Sequence, residues 1–212
     1  MLTGNKPNEF GHLKFEINKA PVSLQANSVR KTEFKNHIAS LVQNAKYLLS
    51  GDIKVFIEWY IHEQKRYETS SSADVDNIIK PLMDALSGPG GIMIDDSQVQ
   101  SVSCNWIDSY SYGTKRIVVN VEYSPDEFLP KEGLVFVKVQ EYLYMPFSEN
   151  IPRDAMRNML DIFEKMFTLR NELIDKGNDY YSAKMVMSVQ RVFHKGRLGG
   201  FSLKTRKELL GE

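Results

Sequence analysis

The sequence predicts an α/β (α+β) protein, with a small mixed β-sheet covered by helices and a mainly helical C-terminal extension. Along residues 1–123, strand-like alternation of apolar residues takes turns with helix-like spacing of three and four. The sequence Ser-Pro-Asp at 124–126 is typical of a boundary, and helical spacing dominates the remainder. We therefore expect two domains, over residues 1–127 and 128–212.

A strand, a loop and a helix are predicted first. Apolar residues alternate with charged ones over residues 13–17, which indicates a half-buried strand. Residues 21–27 are predicted to form a loop. Over residues 31–49 apolar side chains recur every three or four positions, so this segment is predicted to be an amphipathic helix that ends before Gly51.

The middle of the first domain is predicted to hold a second strand and a short helix. Residues 53–61 show the clearest alternation in the chain, and the polar residues 68–72 are predicted to form a loop. A helix is predicted over residues 77–87, because the sequence Gly-Pro-Gly-Gly at 88–91 stops it.

Two further strands complete the predicted sheet. Alternation over residues 102–106 follows a turn, and alternation over residues 117–123 follows the loop 109–114. The order of elements is therefore βαβαββ, which is typical of a small mixed sheet with helices packed on it.

The C-terminal domain is predicted to begin with one strand and to continue as helices. The strand is expected over residues 134–139, and a long helix over residues 148–176, ended by Gly177. A second helical stretch is predicted over residues 180–194. The Met-rich apolar stripe of the long helix is interpreted as core or dimer packing rather than as part of a cofactor site.

The composition indicates a globular protein from a reducing compartment. Hydrophobic residues make up 42% of the chain and charged residues 25%, which argues against disorder. The single cysteine, Cys104, excludes an internal disulfide, and the four histidines lack the spacing of zinc ligands. Neither a signal peptide nor a membrane span is recognisable, so we expect a cytoplasmic protein.

Charge is distributed unevenly, although the net charge is zero. Residues 1–72 hold ten basic and seven acidic side chains, residues 73–127 three and nine, and residues 128–212 fourteen and eleven. The zero total excludes a histone-like chain that binds through overall basicity. An acidic middle between basic flanks suits a cation site beside a polyanion-binding surface, but random clustering of solvated charges explains it equally well.

The segment that begins at Asp74 carries the side chains of greatest chemical interest. Asp74 and Asp76 stand two positions apart before a predicted helix, and Lys80 follows Asp76 by one helical turn. Asp95 and Asp96 then arrive from a turn between elements. Carboxylates and a lysine that converge in this way are suited to hold Mg²⁺ or Mn²⁺, because hard cations prefer oxygen ligands.

Other interpretations apply to the same carboxylates. An EF-hand loop that starts at Asp74 would lack the glycine at its sixth position and the glutamate at its twelfth, so this interpretation fails. Asp76 as a helix N-cap, with Asp95 and Asp96 as turn formers, explains each residue separately but leaves the combination with Lys80 unexplained. An Asp-x-Asp metal site of glycosyltransferase type lacks the accompanying nucleotide-binding strand pattern.

The ordered combination resembles the RusA family of Holliday-junction resolvases, which are endodeoxyribonucleases common in prophages and bacteria. The pattern Asp-x-Asp-Asn-x-x-Lys-x-x-x-Asp-Ala-Leu-x-Gly, then Asp-Asp-x-Gln-Val, is complete between Asp74 and Val99. A looser resemblance in the order of elements covers residues 11–123 and implies a RusA-like fold for the first domain. Residues 131–212 resemble nothing in this family, whose members are often shorter.

The resemblance implies a metal-dependent nuclease that is bacterial or phage-encoded and acts in DNA recombination and repair. The family's metal-binding carboxylates fall on Asp74, Asp76 and Asp96, with Asp95 and Asn77 as supporting members. Its catalytic lysine falls on Lys80, and the expected cofactor is Mg²⁺, which Mn²⁺ can replace.

Two neighbours of Lys80 on the predicted helix bear on this site. Asp84 lies four residues after Lys80, at the spacing of an ion pair across one helical turn. Pro81 lacks an N–H and is expected to kink the helix unless the helix starts late.

The resemblance also implies that the protein binds a four-way DNA junction. Affinity is expected from basic residues outside the acidic centre. The candidates are Lys14, Lys19, Arg30, Lys31, Lys65 and Arg66. A second candidate is the basic C-terminal end, and Tyr110 and Tyr112 are candidates either for stacking on exposed bases or for ordinary packing.

Two matched nicks on a junction require two active sites related by a two-fold axis, and the family is dimeric, so we expect a homodimer. Residues 128–212 would then support dimerisation or DNA binding. The alternative is a non-catalytic module that binds branched DNA or a partner protein on the same fold. The complete acidic set favours the enzyme, because a module that only binds DNA has no use for charges that repel phosphate.

Overall fold

The computed structural model describes residues 2–69, 74–187 and 191–211. The chain divides into two compact units, Met1–Lys131 and Glu132–Glu212. Among the described residues, none of the helices combines the length and the apolar character that a membrane span needs.

The first unit is built around a four-stranded mixed sheet with the strand order β2-β7-β5-β6. Strands β5 and β6 are parallel, whereas β5 with β7 and β2 with β7 are antiparallel. The predicted βαβαββ order and the mixed sheet are therefore confirmed. The elements of the unit, in chain order, are β1 (Thr3–Gly4), β2 (His12–Ile17), α1 (Ser28–Val42), β3 (Asn44–Ala45), β4 (Tyr47–Leu49), β5 (Ile53–Ile61), α2 (Glu63–Glu68), α3 (Val75–Leu86), β6 (Val99–Asp108), β7 (Arg116–Tyr123) and β8 (Phe128–Pro130).

The core of this unit forms where α1 and α3 pack with the sheet. Every second residue of β5 is buried, beginning with Ile53, as its alternation predicts. Phe34 and Ile38 of α1 and Leu82 and Leu86 of α3 belong to the same buried cluster. The helix α3, which carries the acidic motif, is thus fixed to the sheet through its apolar side.

Helix α1 differs from the prediction at both ends. It begins at Ser28, because the side chain of Asn27 accepts a hydrogen bond from the Arg30 N–H at 3.0 Å and caps the helix. It ends at Val42 rather than at residue 49, because β4 instead pairs antiparallel with β8. That pairing also places β8 in the first unit, so the division between units lies after Lys131 and not after residue 127.

The region between β5 and α3 also differs from the prediction. The sequence indicated a loop over residues 68–72, but α2 extends to Glu68, and residues 70–72 lie outside the described part of the chain. Helix α3 begins at Val75, two residues earlier than predicted.

Helix α3 ends at a tight glycine-containing turn. Gly88 has φ +91°, in the left-handed region that favours glycine. Gly91 passes so close to the end of α3 that a Cβ atom there would lie 2.0 Å from the carbonyl oxygen of Leu86. The Gly91 carbonyl also accepts a hydrogen bond from Lys131 Nζ at 2.7 Å. The turn returns the chain toward Asp95 and Asp96.

The substitution Gly91→Ala is expected to destabilise the protein by about 2 kcal/mol or more, because backbone atoms must move to admit the methyl group. Gly90→Ala is the matched control, since a Cβ at Gly90 meets no atom within 4 Å. Urea unfolding followed by circular dichroism measures both changes. Equal stability of the two variants would contradict the close approach at Gly91.

The second unit combines a long helix with a small mixed sheet of order β11-β10-β9-β12. The helices hold more residues than the strands, as predicted, but only the first strand of the sheet was predicted. The described elements are β9 (Leu134–Lys138), β10 (Leu143–Ser148), α4 (Arg153–Asp175), α5 (Tyr180–Lys184), β11 (Phe193–His194), β12 (Leu203–Lys204) and α6 (Arg206–Leu210).

Helix α4 packs its apolar stripe into the core of the second unit. Met156, Leu160, Phe163 and Phe167 are buried there, which confirms the interpretation of the Met-rich stripe as packing. The predicted helix over residues 180–194 is wrong beyond Lys184, since β11 pairs with β10. Residues 188–190 of that prediction lie outside the described residues.

Candidate active site

One side of α3 presents a row of charged residues spaced four apart. Asp76, Lys80 and Asp84 are exposed, whereas Ile78 and Leu82 on the other side are buried. A spacing of four residues places the three charged side chains on successive turns of one helix face. The packing of α3 against the sheet therefore fixes which side of the helix meets solvent.

Asp74 and Asp76 stand at the N-terminal end of α3. Asp74 is the N-cap residue in extended conformation, but its side chain forms no capping hydrogen bond. Asp76 lies in the first turn, so the interpretation of Asp76 as the N-cap is wrong. Within the part of the chain that the structure describes, no ion pair or side-chain hydrogen bond engages either carboxylate, so both remain available to a ligand.

Lys80 is held between two carboxylates that come from different elements. Its Nζ lies 2.8 Å from Asp84 Oδ1, which confirms the predicted pair across one helical turn. The same Nζ donates to Asp96 Oδ2 at 2.5 Å. The hydrogen bonds to Asp84 and then to Asp96 raise the pKa of Lys80 above its ordinary value. The ammonium therefore stays protonated at neutral and alkaline pH.

Asp96 is brought to Lys80 by a short 3₁₀ turn, Asp96–Gln98. Asp95 precedes this turn as its N-cap, and Asp95 Oδ1 accepts a hydrogen bond from the Ser97 N–H at 3.0 Å. Asp95 therefore has a structural contact of its own, whereas Asp96 points its carboxylate at Lys80.

Gln98 holds this turn in place through hydrogen bonds of its side chain, and it was not predicted as a site residue. Its side chain is buried, and its Oε1 accepts hydrogen bonds from the Ile94 and Asp95 N–H groups at 2.8 and 3.0 Å. Its Nε2 donates to the carbonyls of Leu49 and Gly51 at 3.0 and 2.8 Å. The Asp-x-x-Gln spacing of a capping box, visible in the sequence, is the signal that identifies it.

Pro81 lies well inside α3, in its seventh position, and the helix continues to Leu86. Proline has no N–H to donate to the carbonyl four residues earlier, which here belongs to Asn77. That carbonyl instead accepts a hydrogen bond from the Leu24 N–H at 2.7 Å. The loop that contains Leu24 is thereby attached to the helix that carries Lys80.

The carboxylates near Lys80 are oxygen ligands of the kind that a hard divalent cation prefers, although they are not arranged as a complete metal site. Among the described residues, no group of three or more Asp, Glu, His or Cys side chains is arranged to hold a metal ion. The carboxylate oxygens of Asp74 and Asp76 are not engaged by any residue that the structure describes, and Asp96 contacts Lys80 through Oδ2. Oxygen donors of this kind fit Mg²⁺ or Mn²⁺.

The structure brings together two of the six predicted DNA-binding residues. Arg30 and Lys65 line one cavity in the first unit. Arg66, next to Lys65 on α2, lies 4.5 Å from the centroid of the Trp106 ring. The remaining three are Lys14 on β2, Lys19 two residues after that strand and Lys31 on α1.

The basic C-terminal end is partly neutralised by carboxylates of its own unit. Arg206 lies 2.5 Å from Asp161 and 3.0 Å from Glu164, and Lys204 pairs with Glu149. These contacts give Lys204 and Arg206 a structural role in the second unit.

Comparison with known proteins relates part of the first unit to one family. Residues 22–122 match the family model described as Endodeoxyribonuclease RusA. No curated protein matches the chain. The matched segment lies within the first unit and contains Asp74, Asp76, Lys80 and Asp96, in an α+β fold of the expected order. Over residues 22–122, the first unit of this chain therefore resembles the RusA family of endodeoxyribonucleases.

Proposed function

We propose that this protein is a Mg²⁺-dependent, structure-selective endodeoxyribonuclease that resolves Holliday junctions in DNA recombination and repair. The observation that carries the proposal is the match to the RusA family over residues 22–122, which contains the acidic motif together with Lys80. The geometry supports it, since Asp74, Asp76 and Lys80 are exposed along α3 and Asp96 contacts the protonated Lys80.

Asp74, Asp76 and Asp96 are the residues proposed to hold the metal ion, with Asp95 in support. Bound Mg²⁺ would lower the pKa of a water molecule and neutralise charge on the phosphate, and Mn²⁺ is proposed to substitute for it. The carboxylates of Asp74 and Asp76, which no described residue engages, are available for this purpose. Asp96 is held in position by the turn that Asp95 caps.

Lys80 is proposed to stabilise the negative charge that develops on the phosphate during hydrolysis. Its raised pKa keeps the ammonium charged, so Lys80 is suited to bind an oxyanion and unsuited to accept a proton. In the hydrolysis, the oxygen of water forms a bond to phosphorus, the bond to one deoxyribose oxygen breaks, and that oxygen receives a proton. Asp84 and Asp96 orient the ammonium from two sides.

A homodimer is proposed because the resolution of a junction requires two matched nicks. The second unit offers apolar surface for such an association. Ile162 and Leu169 of α4 stand seven residues apart and are 51% and 46% exposed, on the side of the helix that its own unit leaves uncovered. The Lys14, Lys19, Arg30, Lys31, Lys65 and Arg66 side chains are proposed to bind the phosphates of the junction.

The alternative function is a non-catalytic module that binds branched DNA. It is favoured by two observations. The described carboxylates are not gathered around a common point, and two of them already neutralise Lys80. Such a module would bind the junction tightly with or without a metal ion.

Cleavage of a supercoiled plasmid that extrudes a cruciform separates these possibilities. With Mg²⁺ we expect the protein to linearise this plasmid, because paired nicks within one complex cut both strands, and to leave a plasmid without the cruciform intact. EDTA should abolish cleavage. Nicked circles without linear product would contradict the dimer, and binding without cleavage in Mg²⁺ or Mn²⁺ would establish the non-catalytic module.

A further inference from the structure

A cavity of about 440 Å³ lies in the first unit, between the loop that precedes α1 and the ends of β5 and α2. This volume falls within the range of small-molecule sites, which is roughly 300–1,000 Å³. Three cationic side chains line the cavity, namely Arg30, Lys65 and Lys115, and no carboxylate is among the described residues that line it. The cavity is therefore suited to an anion.

The same cavity also has an apolar part. Pro21, Trp59 and Ile61 contribute to its lining, and the ring of Trp59 lies against that of Trp106, with 4.6 Å between centroids. A ligand that satisfies both parts must carry negative charge at one end and a flat, weakly polar group at the other. A nucleotide has this composition, since its phosphate is charged and its base has two apolar faces.

Further aromatic and cationic side chains lie beside residues that line the cavity. Lys65 Nζ lies 4.4 Å from the centroid of the Tyr112 ring, and Arg66 lies 4.5 Å from that of Trp106. Tyr110 is fully exposed, in the loop between β6 and β7. Alternating cations and aromatic rings are the surface that proteins use for single-stranded nucleic acid, because the cations follow the phosphates and the rings stack on bases.

The cavity is physically connected to the candidate active site. Ser23 and Gln25, which line it, flank Leu24, and the Leu24 N–H donates to the Asn77 carbonyl of α3 at 2.7 Å. Asn77 lies three residues before Lys80 and four before Pro81 in this helix. A group bound in the cavity is thereby held at a fixed position relative to the catalytic helix.

We propose that this cavity binds one unstacked nucleotide of the DNA substrate beside the strand to be cut. The proposal rests on the proposed nuclease function, because it assigns the cavity to the substrate of the same site. A base pair inside a continuous duplex cannot enter such a cavity, whereas a nucleotide at a branch point has lost part of its stacking and enters at lower cost. Occupancy of the cavity would then favour branched DNA over linear duplex.

The test measures binding without metal and without cleavage, so it does not depend on nuclease activity. Fluorescence anisotropy of labelled tetrathymidylate and of a labelled 20-base-pair duplex, both in EDTA, gives two dissociation constants for each variant. Ala20→Trp fills the cavity from an exposed position at its rim. Arg30→Gln removes a cation that lines the cavity. Its matched control is Lys35→Gln, because Lys35 is exposed on the same helix and does not line the cavity.

We expect Ala20→Trp and Arg30→Gln to weaken tetrathymidylate binding about tenfold or more, since the stacked base and the paired phosphate are both lost. Lys35→Gln should change the affinity for tetrathymidylate and for the duplex by the same small factor. Equal losses on both DNA forms for the cavity variants and for the control would overturn the proposal. Thermal unfolding of each variant verifies that the fold is retained.

Competition experiments distinguish a nucleotide site from a simple anion site. Thymidine 5′-monophosphate should displace tetrathymidylate from the wild type at concentrations where inorganic phosphate does not. Competition by phosphate at the same concentrations would show that the base is not recognised, and the proposal would fail. If the wild type never cleaves the junction but the cavity variants still lose affinity for tetrathymidylate selectively, the proposed nuclease function is wrong and the proposed nucleotide site is supported.

Discussion

The substitution Asp96→Asn is expected to lower the rate of junction cleavage by more than about a hundredfold while DNA binding is kept or improved. Loss of a residue in the outer shell of a metal site typically costs 10–100-fold, so loss of a proposed ligand should cost more. Binding is kept because the substitution removes a negative charge that repels phosphate. The turn should also survive, since Asp95 and Gln98, and not Asp96, form its capping contacts.

A comparison with Asp84→Asn separates two roles of Asp96. Both carboxylates contact Lys80, at 2.8 Å for Asp84 and 2.5 Å for Asp96. If Asp96 acts as a metal ligand, its Asn variant should lose much more activity than Asp84→Asn and should also bind Mn²⁺ more weakly in a calorimetric titration without DNA. Equal loss in both variants would mean that Asp96 serves only to position Lys80, and a rate near that of the wild type would remove Asp96 from the site.

The substitution Gln98→Leu is expected to destabilise the protein by at least about 3 kcal/mol and to impair cleavage. Leucine is similar in size but cannot pair with the Ile94 and Asp95 N–H groups or with the Leu49 and Gly51 carbonyls. Each buried polar group left without a partner costs roughly 1–3 kcal/mol, and these four lie at one buried side chain.

The control for this substitution is Gln100→Leu, two residues along the chain. Gln100 is exposed, and its Nε2 donates to Asp52 at 2.7 Å, so its replacement should alter the free energy of unfolding by less than about 0.5 kcal/mol. Chemical unfolding curves of both variants give the comparison. Similar midpoints for Gln98→Leu and the wild type would show that the buried amide does not fix the turn.

The sequence predicted the parts of the fold that depend on neighbouring residues. The alternation of β5 determines which of its side chains are buried, because successive residues of a strand face opposite sides of the sheet. The contact between Lys80 and Asp84 follows from their spacing on one helix. Such contacts need no knowledge of the rest of the chain.

Pairing between distant segments could not be predicted from periodicity. Tyr47, Leu48 and Leu49 continue the helical spacing of α1, yet they form a strand because β8 offers them hydrogen-bond partners about 80 residues later. In the second unit, β11 and β12 are two residues long and complete a sheet that no local pattern indicates. Tertiary contacts override local preference in these places.

In the candidate site, too, the sequence predicts what depends on a local motif and does not predict what depends on distant contacts. Asp74, Asp76, Lys80 and Asp96 are candidates because they form an ordered motif, and the structure places Asp96 against Lys80. The buried role of Gln98 depends on carbonyls of Leu49 and Gly51, which no motif around residue 98 reveals. The cavity is assembled from four separate segments, so no single stretch of the sequence predicts it.

The contact between Leu24 and Asn77 has a consequence for how this unit folds. An isolated helix that contains Pro81 leaves the Asn77 carbonyl without its usual local donor, so its hydrogen bonding is incomplete until the loop arrives. Formation of the helix and docking of a segment more than fifty residues away therefore favour each other. In kinetic terms, Pro81 removes a local helix hydrogen bond, which would form quickly, and the distant Leu24–Asn77 hydrogen bond, which forms more slowly, takes its place. The two segments therefore fold cooperatively.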